Sequence, residues 1–125
     1  YGFYPLSPTE AGAALFGELD TVFQCHYEAL EALPAGAELL ASSERFEIQA
    51  FRLDAAIGVQ FHPDARADML EGWWDGNADM RQRPGVQPLE DQVVDGARLE
   101  PARAAFVGRL IDEWLPQAAA GETAA

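Results

Sequence analysis

Residues 38–64 read ELLASSERFEIQAFRLDAAIGVQFHPD, and this stretch decides the fold. It holds three short strand candidates, over residues 38–42, 46–53 and 56–61, with tight connections. In the third, Ile57, Val59 and Phe61 alternate with Gly58, Gln60 and His62, the period of a strand with two distinct faces. Connections this short allow antiparallel hairpins and exclude parallel crossovers, which need a dozen or more residues. Immediately after Pro63 the period changes. Ala65, Met69 and Trp73 recur at i, i+4 and i+8 with Leu70 and Trp74 beside them, so an amphipathic helix is expected up to Met80.

Upstream, residues 1–6 read as a strand closed by Pro5, Ser7 and Pro8. Thr9 is placed to cap a short helical turn through Leu15, and Gly17 to end it. Residues 21–27 alternate, with Phe23, Cys25 and Tyr27 on one face and Val22, Gln24 and His26 on the other. Downstream, Pro84, Gly85 and Pro88 mark a loop, and residues 89–94 a weak helical piece. The last helix is expected to start near Pro101, to carry Phe106, Leu110 and Trp114 in one row with Val107, Ile111 and Leu115 in the next, and to stop at Pro116. The result is an α/β chain: residues 1–117 form part of one domain and residues 118–125 a mobile tail.

Composition narrows the function. The chain has 125 residues, 49% hydrophobic and 23% charged, which fits one small globular unit. Its net charge is −13, and all eight basic residues are Arg. That excludes an unselective nucleic-acid binder, which needs a basic face, and disfavours binding to an anionic membrane surface. No lysine follows any glycine pattern, so a phosphate-binding P-loop is excluded. No apolar run reaches the roughly 20 residues of a membrane span. A single cysteine, Cys25, allows no internal disulfide and no Cys-only metal site; it fits a reducing compartment, and a cytoplasmic location is expected.

The chemistry-bearing residues are few. His62 ends a strand directly before a helix, a place where a rigid scaffold projects a side chain into a crevice. Asp64, two residues on, is positioned to orient that imidazole and stabilise its protonated form, or to serve as the helix N-cap. His26 sits beside Cys25, but neighbours on a strand face opposite ways and do not readily share a proton. The ordinary reading of Cys25 is a small thiol packed with Phe23 and Tyr27. His26, His62, Glu28 and Asp64 lack any short metal-ligand spacing, so no metal is expected. Trp73 and Trp74 read as packing residues.

Three pieces of the chain, in order, resemble the class I glutamine amidotransferases. They are Phe23-Gln24-Cys25-His26-Tyr27-Glu28; Leu33-Pro34-Ala35-Gly36-Ala37 with Leu40-Ala41-Ser42-Ser43; and Gln49-Ala50-Phe51 followed by Gly58-Val59-Gln60-Phe61-His62-Pro63. The likeness is to the C-terminal part of that catalytic domain, in the branch related to the glutaminase domain of guanosine monophosphate synthase. It implies a mixed sheet with an antiparallel hairpin section and flanking helices. It also implies hydrolysis of the glutamine side-chain amide by a Cys thiolate, with His62 as base then acid and Asp64 in the place of the family's orienting Glu. Cys25, Tyr27 and Glu28 would bound the glutamine pocket.

No cofactor is implied, and the ammonia would pass to a synthetase domain or partner. Two departures stand out. The family's G-x-C-x-G nucleophile turn is absent, and Asp64 is one methylene shorter than Glu. The opening at Tyr1, in mid-structure, leads us to expect a nucleophile-bearing N-terminal half outside this sequence. A non-catalytic amidotransferase-like binding or regulatory domain, or a γ-glutamyl hydrolase, would share these features.

Overall fold

The computed structural model describes residues 1–122. Four short strands form an antiparallel sheet in the order β2 (Ser7–Pro8), β4 (Glu38–Ser42), β5 (Ala50–Leu53), β6 (Ala56–Val59). A separate two-stranded antiparallel ribbon pairs β1 (Gly2–Pro5) with β3 (Thr21–Gln24), Phe3 opposite Phe23. Helices α1 (Ala13–Phe16), α2 (Leu70–Gly76) and α3 (Leu89–Glu122) flank them. The α/β reading therefore holds, and β4, β5 and β6 are the expected hairpin section. No helix among the described residues is long and apolar enough to cross a membrane.

Strand β4 has the expected bounds, residues 38–42. Strand β5 starts four residues late, because the ladder slips between Leu39 and Ala41 and residues 46–49 fall outside the regular pairing. In β6, Gly58 makes room for the Phe51 ring on the neighbouring strand: a Cβ there would lie 2.5 Å from that ring, which would have to shift.

Two apolar clusters form the interior. One gathers Leu15, Phe16, Leu40, Phe61 and Phe106, with the Phe16 and Phe106 rings stacked 4.9 Å apart. The other gathers Phe3, Phe23, Ala65, Leu70 and Leu99, flanked by Cys25 and Trp73. Strand β3 serves both, Val22 facing the first and Phe23 the second, as its alternation requires. So does α3, which sends Leu99 into one cluster and Phe106 into the other.

The helices depart from their expected bounds. Between Ala65 and Met80 only Leu70–Gly76 is α-helical, flanked by single 3₁₀ turns at Ala67–Met69 and Ala78–Met80. Asn77 ends the α-helical turn by donating from its side chain to the Trp73 carbonyl at 2.7 Å. Helix α3 starts at Leu89, takes in both Pro101 and Pro116 and continues to Glu122. Pro101 is thus interior, not initial. The backbone expected to form the 118–125 tail is helical as far as Glu122, and residues 123–125 lie outside the described residues.

Candidate active site

The site is built on the turn after β6. The His62 amide donates to the Phe23 carbonyl at 2.9 Å, which ties this turn to the end of β3. The His62 ring meets the Trp73 ring edge-on at 5.5 Å, so α2 fixes the tilt of the imidazole. Its Nδ1 lies 3.2 Å from Asp64 Oδ1. Both side chains reach solvent, with His62 39% and Asp64 65% exposed. Asp64 caps no helix, because α2 begins only at Leu70 and its N-terminus has no side-chain cap. The geometry therefore favours the orienting position over the capping one. With Nδ1 protonated toward the carboxylate, Nε2 is left basic, the arrangement a general base needs.

The residues expected to bound a substrate pocket lie just beyond β3, which ends at Gln24. Cys25 is half-buried against the Phe3 and Phe23 cluster, and burial pushes its thiol up from its ordinary pKa. A thiol so placed is a poor nucleophile. Tyr27 is exposed, contrary to the strand reading of residues 21–27, and Arg83 lies over its ring at 4.9 Å. The Glu28 carbonyl accepts from Gln60 Nε2 at 3.5 Å, and Gln60 Oε1 accepts from the Leu30 amide at 3.2 Å. Strand β6 ends at Val59, two residues before the expected Phe61, so His62 stands in the turn beyond it, and Gln60 ties this loop to the segment that leads to His62.

A second polar group was not assigned a role from sequence. His26 Nε2 lies 2.8 Å from Gln24 Oε1, Gln24 Nε2 donates to Gln49 Oε1 at 3.0 Å, and Gln49 Nε2 donates to Ser43 Oγ at 3.1 Å. Both glutamines are buried. The chain borders a cleft of about 230 Å³ that Tyr4, Arg45, Phe46 and Gly85 also line. Burial pushes the His26 imidazole down from its ordinary value, against a backbone hydrogen bond at Glu28; His62 adds to the downward push. The signal for this group was present: Gln24 between Phe23 and Cys25, and Gln49 between Ile48 and Ala50, are amides inside apolar runs, which must find partners when buried. Among the described residues, no three His, Cys, Asp or Glu side chains are grouped to hold a metal.

No family model matches the sequence, and no curated protein matches it. Solved structures do. A glutamine amido transferase from Methylobacillus flagellatus superposes with a TM-score of 0.78 at 22% identity, over 93% of this chain and 51% of that one. A glutamine amidotransferase from Thermotoga maritima does so with a TM-score of 0.75 at 23% identity, over 91% of this chain and 50% of that one. The chain has a glutamine amidotransferase-like fold and spans about half the length of the solved structures it matches.

Proposed function

We propose that this chain carries the histidine–carboxylate part of a glutamine amidotransferase site, acting with a thiolate supplied by residues outside this sequence. The observation that carries the reading is the 3.2 Å contact between His62 Nδ1 and Asp64 in the turn after β6. In this mechanism His62 Nε2 accepts the proton of the attacking thiol and returns it to the departing ammonia. Asp64 holds the ring and stabilises the imidazolium. Cys25, Tyr27 and Glu28 border the glutamine side chain, in part through backbone groups. Support for that comes from Gln60, whose side chain links their loop to the segment leading into the His62 turn. The raised thiol of Cys25 argues for a nucleophile elsewhere. Ammonia then passes to a synthetase domain or partner.

The test is ammonia release from glutamine by the full-length polypeptide of this gene. General acid–base assistance contributes roughly 10²–10⁴-fold. His62→Ala is expected to lose that much turnover with an unchanged fold, and Cys25→Ser to keep most of it. Asp64→Asn is expected to lose turnover, and Asp64→Glu to hold or raise it. Undiminished activity in His62→Ala overturns the assignment. Glutamine binding without turnover in the parent polypeptide points to a non-catalytic domain, and preference for γ-glutamyl conjugates to a hydrolase.

A further inference from the structure

The turn that carries His62 and Asp64 is held by a residue from another element. On α3, Arg103 donates from Nη1 to the Pro63 carbonyl at 2.8 Å. Its Nε and Nη2 donate to the Glu100 carboxylate at 3.1 and 2.5 Å. The Arg103 side chain is only 14% exposed, so the fork is fixed on one edge by Glu100 and presents the remaining nitrogen to the turn.

The turn is closed by the Ala65 amide on the His62 carbonyl at 3.3 Å and the Arg66 amide on the Asp64 carbonyl at 2.9 Å; Pro63 has no amide hydrogen, so its carbonyl is its one backbone hydrogen-bonding group. That carbonyl belongs to the peptide leading into Asp64. Holding it sets the plane from which the Asp64 side chain departs. On the other flank, His62 is fixed by the Phe23 carbonyl and the Trp73 ring. The His62–Asp64 contact is solvent-exposed at both ends and cannot enforce its own geometry against water.

We propose that Arg103 is a positioning residue: through the Pro63 carbonyl it sets the Pro63–Asp64 peptide so that the carboxylate meets His62 Nδ1. It hydrogen-bonds to neither the imidazole nor the carboxylate. This rests on the reading of His62 and Asp64 as a functional pair. Besides Asp64, the charged and titratable groups near the turn are His26, from the loop after β3, the Arg103–Glu100 pair itself, and Arg66 and Asp68, which pair with each other and face Glu100 and Arg103.

The experiment is ring ¹⁵N spectroscopy of the full-length polypeptide at a pH where imidazoles are neutral. His26→Gln and His62→Gln assign the two signals. The parent is expected to show His62 protonated on Nδ1, and Asp64→Asn to lose that preference. Arg103→Met keeps the aliphatic stem and removes the donors. It is expected to lose the Nδ1 preference of His62 while leaving the His26 signal and the far-ultraviolet circular dichroism unchanged. Arg103→Lys is expected to restore the preference in part.

A folded Arg103→Met chain with an unchanged His62 tautomer overturns the role of Arg103. If Arg103→Met does not fold, Glu100→Gln, which frees the fork without emptying the site, is expected to weaken the His62 preference, and no change there overturns the proposal equally. A parent His62 whose tautomer ignores Asp64→Asn defeats the pairing itself, and with it the inference. In that case Asp64→Asn is the variant that fails, which separates the two failures.

Discussion

At His26 the imidazole gives up solvent to lie edge-on against Phe46 at 5.0 Å and to join the Gln24 amide. Burial, the largest cause, lowers its folded pKa below the 6.5 of the free side chain. As pH falls, the unfolded chain therefore binds this proton first. The contribution of His26 to stability is complete above about pH 6.5 and is lost as pH drops from there through the folded value. His26→Gln is expected to remove that part of the pH dependence, so the Tm of the parent should fall more steeply than that of the variant as pH is lowered from about 7 through 6.5 and below. Parallel slopes would show that the ring charges without cost in the folded chain. His62 and Asp64 were legible as a candidate pair because two residues suffice to define it. The group around His26 was not, because it joins Gln24, Gln49 and Ser43 from separate segments. The amides advertised burial but not their partners, which only the packing of β3 on the bulged end of β4 and β5 supplies.

Among the elements, α3 shows where local reading stops. Its apolar rows around Phe106 were legible, but Pro101 read as a first-turn residue, the position proline prefers. In the structure the helix runs from Leu89 through Pro101, so the Ala97 carbonyl has no i+4 amide to accept from. An interior proline costs about 3 kcal/mol relative to alanine. What offsets it is tertiary: Leu99 and Phe106 on either side are buried in the two clusters, and Arg103 is bonded to Pro63. Arg109 adds to this by donating to the Leu15 and Phe16 carbonyls at 2.7 and 2.8 Å, satisfying the end of α1 where Gly17 takes a φ of 56°. Pro101→Ala is expected to raise stability by about 1–3 kcal/mol, read as the urea midpoint at constant m-value. A fall instead would show that the backbone geometry at Pro101 is needed to seat Leu99 and Phe106 in separate clusters. Helix α2 failed in the opposite way. Its i, i+4 pattern was sound, but Gly72 and Gly76 weaken it and Asn77 stops it early, so the apolar period outran the helix.

Over the whole molecule, charge is the dominant imbalance. The net charge is −13, and each of the eight arginines is already engaged. Five are in ion pairs: Arg52, Arg66, Arg81, Arg98 and Arg103. Arg45 and Arg83 lie over tyrosine rings, and Arg109 is bonded to α1. The excess carboxylates therefore repel one another with no spare cation to answer them, and that repulsion acts over long distances and opposes the compact state. Salt distinguishes the two kinds of interaction by range. The screening length falls from about 30 Å at 0.01 M to about 10 Å at 0.1 M and about 3 Å at 1 M, so repulsion across the molecule fades before attraction at contact does. Most of the pairs are also exposed, where each contributes only about 0–1 kcal/mol to begin with. Raising sodium chloride from 0.01 to 0.5 M is therefore expected to stabilise the chain by about 1 kcal/mol, a rise in Tm of roughly 3–5 °C. Chloride is the suitable salt, because sulfate strengthens apolar burial by its own exclusion from the surface. A fall in Tm would mean that the contacts, above all Arg52 bridging Glu38 and Glu113 and Arg103 holding Glu100, outweigh the repulsion of the whole. In that case Arg52→Met should abolish much of the salt response, whereas under dominant repulsion it should enlarge it.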